Sequence, residues 1–182
     1  MYPYSYPYPY SVNYDDYRHL PGYNYYPASP GYQQHVTPNY SNQESYRETL
    51  RDYGPNPFVI DINSAAKQNN TYRTAIWTGP HIQITLMSLN VGEDIGLEVH
   101  PNLDQFLRVE QGRGVVQMGN TKENLSFVRN VHPGSAIAVP AGTWHNVTNT
   151  GNTPLKLYSI YAPPNHPFGT VHPTKADAMS ER

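Results

Sequence analysis

Gly92-Glu-Asp-Ile-Gly-Leu-Glu98-Val-His100-Pro-Asn-Leu-Asp-Gln105-Phe-Leu-Arg-Val-Glu-Gln-Gly112 is the stretch whose reading decides the fold. In an extended strand, side chains two apart share a face. Glu98 and His100 therefore point one way, and Leu97 and Val99 the other. Pro101-Asn-Leu-Asp104 reverses the chain. The strand that follows sets Gln105, Leu107 and Val109 on one face and Phe106, Arg108 and Glu110 on the opposite one. With Gln105 facing Glu98 and His100, the shared interior is polar at one end and apolar deeper.

On either side of this stretch the same texture continues. Short alternating or β-branched runs cover 58–62, 72–78, 81–89, 96–100, 105–110, 114–118, 125–128, 136–139, 144–148 and 155–161. Turn signals separate them: Thr78-Gly-Pro, Asn90-Val-Gly, Gln111-Gly-Arg-Gly, Gly119-Asn, His132-Pro-Gly, Pro140-Ala-Gly and Asn149-Thr-Gly-Asn. Many short strands at this spacing predict an all-β sandwich or barrel. A helical turn is expected at Ser64–Gln68, and a short or frayed helix at Thr174–Arg182.

Composition divides the chain near residue 54. Of the 17 tyrosines, all but Tyr72, Tyr158 and Tyr161 lie at or before Tyr53, together with seven of the prolines. Such a segment has too little apolar surface to offset the entropy of ordering it. Residues 1–54 read as a disordered, polyproline-like extension, and 55–182 as the β-barrel domain. A short helix over Asn42–Tyr53, capped by Ser41 with Glu44 three residues on, is a further expectation. Stiff tyrosines suit a tail to adhesion or oxidative cross-linking.

A second constellation surrounds His145. It follows the tight turn Pro140-Ala-Gly142, on a strand where Thr143, His145 and Val147 share a face. One carboxylate, two imidazoles and an amide oxygen suit Zn, Mn, Fe, Ni or Co, and not the oxygen-only cage that Ca favours. The competing reading of Glu98 is a salt bridge with Arg73 or Lys156. That of Gln105 is a plain hydrogen-bonding role.

Together the two stretches resemble the cupin motifs. The first cupin motif reads Gly, five residues, His-x-His, three or four residues, Glu, six residues, Gly. Gly92 to Gly112 keeps these spacings, with Glu98-Val-His100 in place of His-x-His and Gln105 in place of Glu. The second motif, Gly, five residues, Pro-x-Gly, two residues, His, three residues, Asn, is matched at every fixed position by Gly134, Pro140, Gly142, His145 and Asn149. The resemblance covers roughly residues 56–178 and implies a double-stranded β-helix, a jelly-roll barrel. It implies metal ligands at Glu98, His100 and His145, with Gln105 as a fourth ligand or a partner of bound water. The single carboxylate has moved from the third ligand position to the first. By the same resemblance a homodimer is expected, with metal-dependent oxygenation, isomerisation, decarboxylation or cyclisation of a small-molecule ligand.

The remaining residues narrow the function. A net charge of -2 and scattered basic residues give nucleic-acid binding no electrostatic footing. No cysteine is present, which removes thiolate chemistry. No apolar run approaches the ~20 residues that span a bilayer, and the Tyr/Pro start lacks the basic and apolar regions of a secretory signal. A cytoplasmic location is expected, with a spore coat or cell-surface layer as the alternative if the tail carries the function. His81, His132, His166 and His172 fall outside the motifs and read as surface or turn residues, His172 with the option of folding over the barrel mouth. Trp144 should point outward, as should Arg108 and Glu110.

Overall fold

A computed structural model describes residues 49–180. The element order is α1 (Ile62–Gln68), β1 (Arg73–Thr78), β2 (Gln83–Leu89), β3 (Asp104–Gln111), β4 (Gly114–Gly119), β5 (Phe127–Val131), β6 (Ala136–Val139), β7 (Trp144–Asn149), β8 (Leu155–Ala162), β9 (Val171–His172) and α2 (Lys175–Ser180). The strands form a six-stranded sheet, β6-β3-β8-β2-β1-β9, and a three-stranded sheet, β5-β4-β7. Every strand pair is antiparallel. This is the all-β double-stranded β-helix expected from the motifs.

Strand pleating explains what goes inside. β7 alternates without interruption, with His145, Val147 and Asn149 buried and Trp144, Asn146 and Thr148 half-buried. On β3, Gln105, Leu107 and Val109 are buried, as the period of two requires. The register then aligns rows across the large sheet. Val109 opposes Leu157, which opposes Met87, which opposes Arg73, which opposes His172. One end of the interior is apolar, built from Leu89, Ile95, Leu107, Val109, Val116, Val147, Leu155 and Leu157. The other end carries the buried polar side chains Gln83, Thr85, Gln105, Ser159 and His145.

The outer face of the large sheet has its own cover. Asp61 caps α1 by accepting a hydrogen bond from the Ser64 N–H. Ala65 and Ala66 of that helix pack with Ile76 and Leu86. The helix thus starts two residues earlier than the turn expected at Ser64, and the run 58–62 forms no strand. Glu110 is a correction. Expected on a solvated surface, it is buried, because the β3–β8 register slips between Val109 and Gln111. Its carboxylate accepts from Asn63 of α1 and from Arg108. Thr49–Gly54 also lie against the barrel, where the Tyr53 N–H donates to the Ile76 carbonyl. The expected helix over Asn42–Tyr53 falls largely outside the described residues, and its described end is not helical. The Tyr/Pro extension up to residue 48 also lies outside them.

Two loops need special backbone. Gly112 has φ +86°, and a Cβ there would meet the Pro154 carbonyl oxygen at 2.7 Å. Buried Asn149 holds the neighbouring chain crossing. Its Nδ2 donates to the Leu89 and Thr153 carbonyls, and its Oδ1 accepts from the Gly151 N–H. Asn149→Ala leaves those buried backbone groups unpaired and should lower stability by about 1–3 kcal/mol. Leu157→Ala opens the apolar end and should lose about 2–5 kcal/mol. Chemical denaturation of both variants beside the parent checks these values; an Asn149→Ala protein as stable as the parent would show the loop does not depend on it.

Candidate metal centre

The site is built by one backbone pairing. The 96–100 segment joins neither sheet as a strand; it meets β7 at a single antiparallel bridge, Glu98 with His145. The Glu98 N–H donates to the His145 carbonyl at 3.0 Å, and the His145 N–H donates to the Glu98 carbonyl at 2.9 Å. Residues paired this way carry side chains on the same face. His100 joins them by the spacing of two, and its carbonyl accepts from the Gly142 N–H at 2.8 Å. Gly142, at φ +79°, belongs to the Pro140-Ala-Gly turn read from the sequence.

The geometry is that of an ion cage. The Glu98 Oε1 lies 3.4 Å from the His100 Nε2 and 3.5 Å from the His145 Nε2. Ligand atoms of the three residues all fall within 4.8 Å of one another. A tetrahedral ion with ligand bonds of about 2.1 Å sets edges of roughly 3.4 Å between its donors. The same 3.4–3.5 Å separations are long for hydrogen bonds. The side chains are 9 % exposed for Glu98, 13 % for His100 and 0 % for His145, so water does little to screen them.

Protonation points the same way. The His145 Nδ1 is 3.0 Å from the Thr143 carbonyl, which can only accept, so Nδ1 carries the proton. That leaves the His145 Nε2 facing Glu98, buried and without a hydrogen-bond partner, as is the His100 Nε2. Burial works to raise the Glu98 pKa, but the adjoining His100 and His145 outweigh it and hold the carboxyl well below the usual carboxylate range. The group is ready as an anionic ligand. The structure forms no ion pair between Glu98 and Arg73. Lys156, the other candidate counter-ion, donates instead to the Asn69 carbonyl and Asn70 Oδ1.

Gln105 lies on the same interior face, paired across the sheet with Tyr161. The Tyr161 ring in turn meets the His100 ring edge-on at 5.8 Å. The Gln105 Nε2 donates to the Ser159 hydroxyl at 2.9 Å, and its Oε1 is buried with no hydrogen-bond partner.

Glu98 and His100 open onto a cavity of about 470 Å³, lined also by Arg73, Trp144, His166 and His172. Motif reasoning did not anticipate this wall. His172 is buried by pairing with Arg73 on the sheet edge, so the fold-over option describes it better than a surface position does. His166 is partly enclosed, with its ring 5.1 Å from Tyr161. Trp144, expected to face outward, contributes to the cavity lining. The only sequence signal was the excess of histidine after residue 160.

Burial first, then the Arg73 charge, push the His166 pKa from 6.5 down to about 3. The unfolded chain binds this proton below pH 6.5, whereas the folded chain waits until about pH 3. The residue therefore costs stability as pH falls through that window and nothing above it. His166→Asn should lose less thermal stability than the parent between pH 7 and pH 4; parallel melting curves would contradict the burial.

Comparison with known proteins agrees with this architecture. A family model described as Cupin domain matches residues 85–161. The chain is similar to the protein YrkC of Bacillus subtilis (strain 168), 72% identical over 140 residues, which cover 77% of this chain and 75% of YrkC. It is similar to protein L612 of Acanthamoeba polyphaga mimivirus, 41% identical over 115 residues, covering 63% of this chain and 70% of L612. The crystal structure of BH2720 from Bacillus halodurans superposes with a TM-score of 0.72 at 65% identity, covering 72% of this chain and 99% of BH2720. With both motifs folded around one cavity and relatives matched over most of their length, this chain belongs to the cupin family.

Proposed function

We propose that the protein is a metal-dependent cupin that binds a small molecule in its barrel cavity, with Glu98, His100 and His145 as the protein ligands of one divalent transition metal. The observation that carries this reading is the Glu98 Oε1 held 3.4–3.5 Å from the Nε2 atoms of His100 and His145, with the other ring nitrogen of His145, Nδ1, donating to the Thr143 carbonyl. Two imidazoles and one carboxylate are ligands for Zn, Mn, Fe, Ni or Co. Three protein ligands leave a coordination position for a substrate or water. The bound ion would act as a Lewis acid on a substrate oxygen. The protein's own contributions are separable from that. Thr143 fixes the tautomer of His145, burial strengthens each polar contact, and the wall from Arg73 to His172 shapes the space.

Gln105 supports the same centre. Its buried Oε1 is an acceptor awaiting a partner, and Ser159 holds the amide so that this oxygen stays presented. It serves as a weak fourth ligand or as the acceptor for a metal-bound water.

Elemental analysis of the purified full chain tests the reading. About one transition-metal ion per chain is expected in the parent, and close to none in the His100→Ala/His145→Ala double variant. Equal, near-zero metal in both would defeat it. Gln105→Ala should keep the fold and weaken metal affinity by about 10–100-fold. An unchanged affinity would remove Gln105 from the centre.

A further inference from the structure

Arg73 is the buried group that the metal reading does not use. It lies on β1, is 2 % exposed, and lines the same cavity as Glu98 and His100. Among the described residues its guanidinium makes no hydrogen bond and no ion pair. Its Nε is buried without a partner. The Tyr72 ring lies 5.5 Å from the guanidinium carbon. A guanidinium stays charged at any working pH. Removing one from water without an anion costs several kcal/mol.

The surrounding groups do not balance that charge. His166 and His172 sit on the same side of the cavity, their rings 6.4 Å apart. His166 is kept neutral by burial and by the Arg73 charge itself. Glu98 lines the cavity too, but its Oε1 is turned to His100 and His145. The cavity thus has two poles: an acidic cage for a cation and, facing the same space, an uncompensated planar cation.

We propose that Arg73 is an anion-binding residue, and that the ligand of this cavity is a small carboxylate whose carboxyl group sits on the Arg73 guanidinium while the rest of the molecule reaches toward the Glu98–His100–His145 cage. The assignment of the far end rests on the metal reading above; the assignment of the carboxyl end does not. A guanidinium fork matches a carboxylate in two parallel hydrogen bonds. A singly charged carboxylate neutralises one guanidinium.

The test is calorimetric titration of the full-length protein with lactate, with lactamide (the same shape without the charge) and with inorganic phosphate, metal content being measured on the same samples. Lactate should bind at least ten-fold more tightly than lactamide. Arg73→Met should bring lactate down to the lactamide level without changing the metal content, and Arg73→Lys should recover only part of the loss, since it keeps the charge and loses the fork. Lactate that binds no better than lactamide to the parent, or no binding of either, overturns the proposal. So does unchanged lactate binding by Arg73→Met, or phosphate binding more tightly than lactate. If Arg73→Met does not fold, the parent comparison and Arg73→Lys still decide. Arg73-dependent lactate binding by a parent that holds no metal would sustain this proposal and sink the metal reading. A metal-loaded parent indifferent to the charge of the probe would do the reverse.

Discussion

The centre depends on two backbone hydrogen bonds between Glu98 and His145. The segment carrying Glu98 belongs to neither sheet but runs beside β7, with a second bridge between Asp94 and Thr148 and the Ile95 N–H on the Val147 carbonyl. The reciprocal pair sets the register. Because side chains alternate, that register decides at one stroke that Glu98 and His100 face inward and that Leu97 is left 39 % exposed. A slip of one residue would exchange the two sets and empty the cage. The Gly142 N–H on the His100 carbonyl adds a second rung and couples the first motif to the turn of the second.

This arrangement is costly, and the barrel separates the cost from its source of stability. Apolar rows fill one end, where Leu107, Val147, Leu155 and Leu157 are wholly buried. The opposite end collects groups that water would solvate better, among them buried nitrogens of His100, His145 and Arg73 and the Gln105 oxygen, none with a hydrogen-bond partner. Buried donors and acceptors gathered in one place are costly in themselves and strengthen any polar contact made there. Rigid strands keep these groups from turning back to the protein for partners.

Much of this was legible in the residues, for identifiable reasons. A period of two reports face, and so the inward set of β7 and of the first half of β3 follows from local spacing alone. The turn glycines fall where φ is positive: Gly92, Gly112, Gly134 and Gly142. What escaped was non-local. Glu110 breaks the alternation because β3 slips against β8 and because α1, distant in sequence, closes over it. Arg73 and His172 meet only through the β1–β9 pairing, which joins segments about a hundred residues apart without a turn to announce it. The run at 58–62 has strand-like composition, but Asp61 with Ser64 offers a helix cap, and the cap prevailed.

The wall from Asn165 to Ala178 follows the last long strand and lies outside both motifs. Glu98, His100 and His145 all precede this segment, which adds the edge strand β9 to the large sheet. It is tied down along its length: His166 exchanges hydrogen bonds with buried Gln83, the Thr170 and Pro173 carbonyls accept from the Ala75 and Tyr72 N–H groups, β9 pairs with β1, and Lys175 of α2 donates to Asp94. Changes at 165–178 can therefore reshape one wall of the cavity without altering Glu98, His100 or His145. The shape of the space beside the three residues is thus set by a stretch of chain separate from the one that sets their geometry.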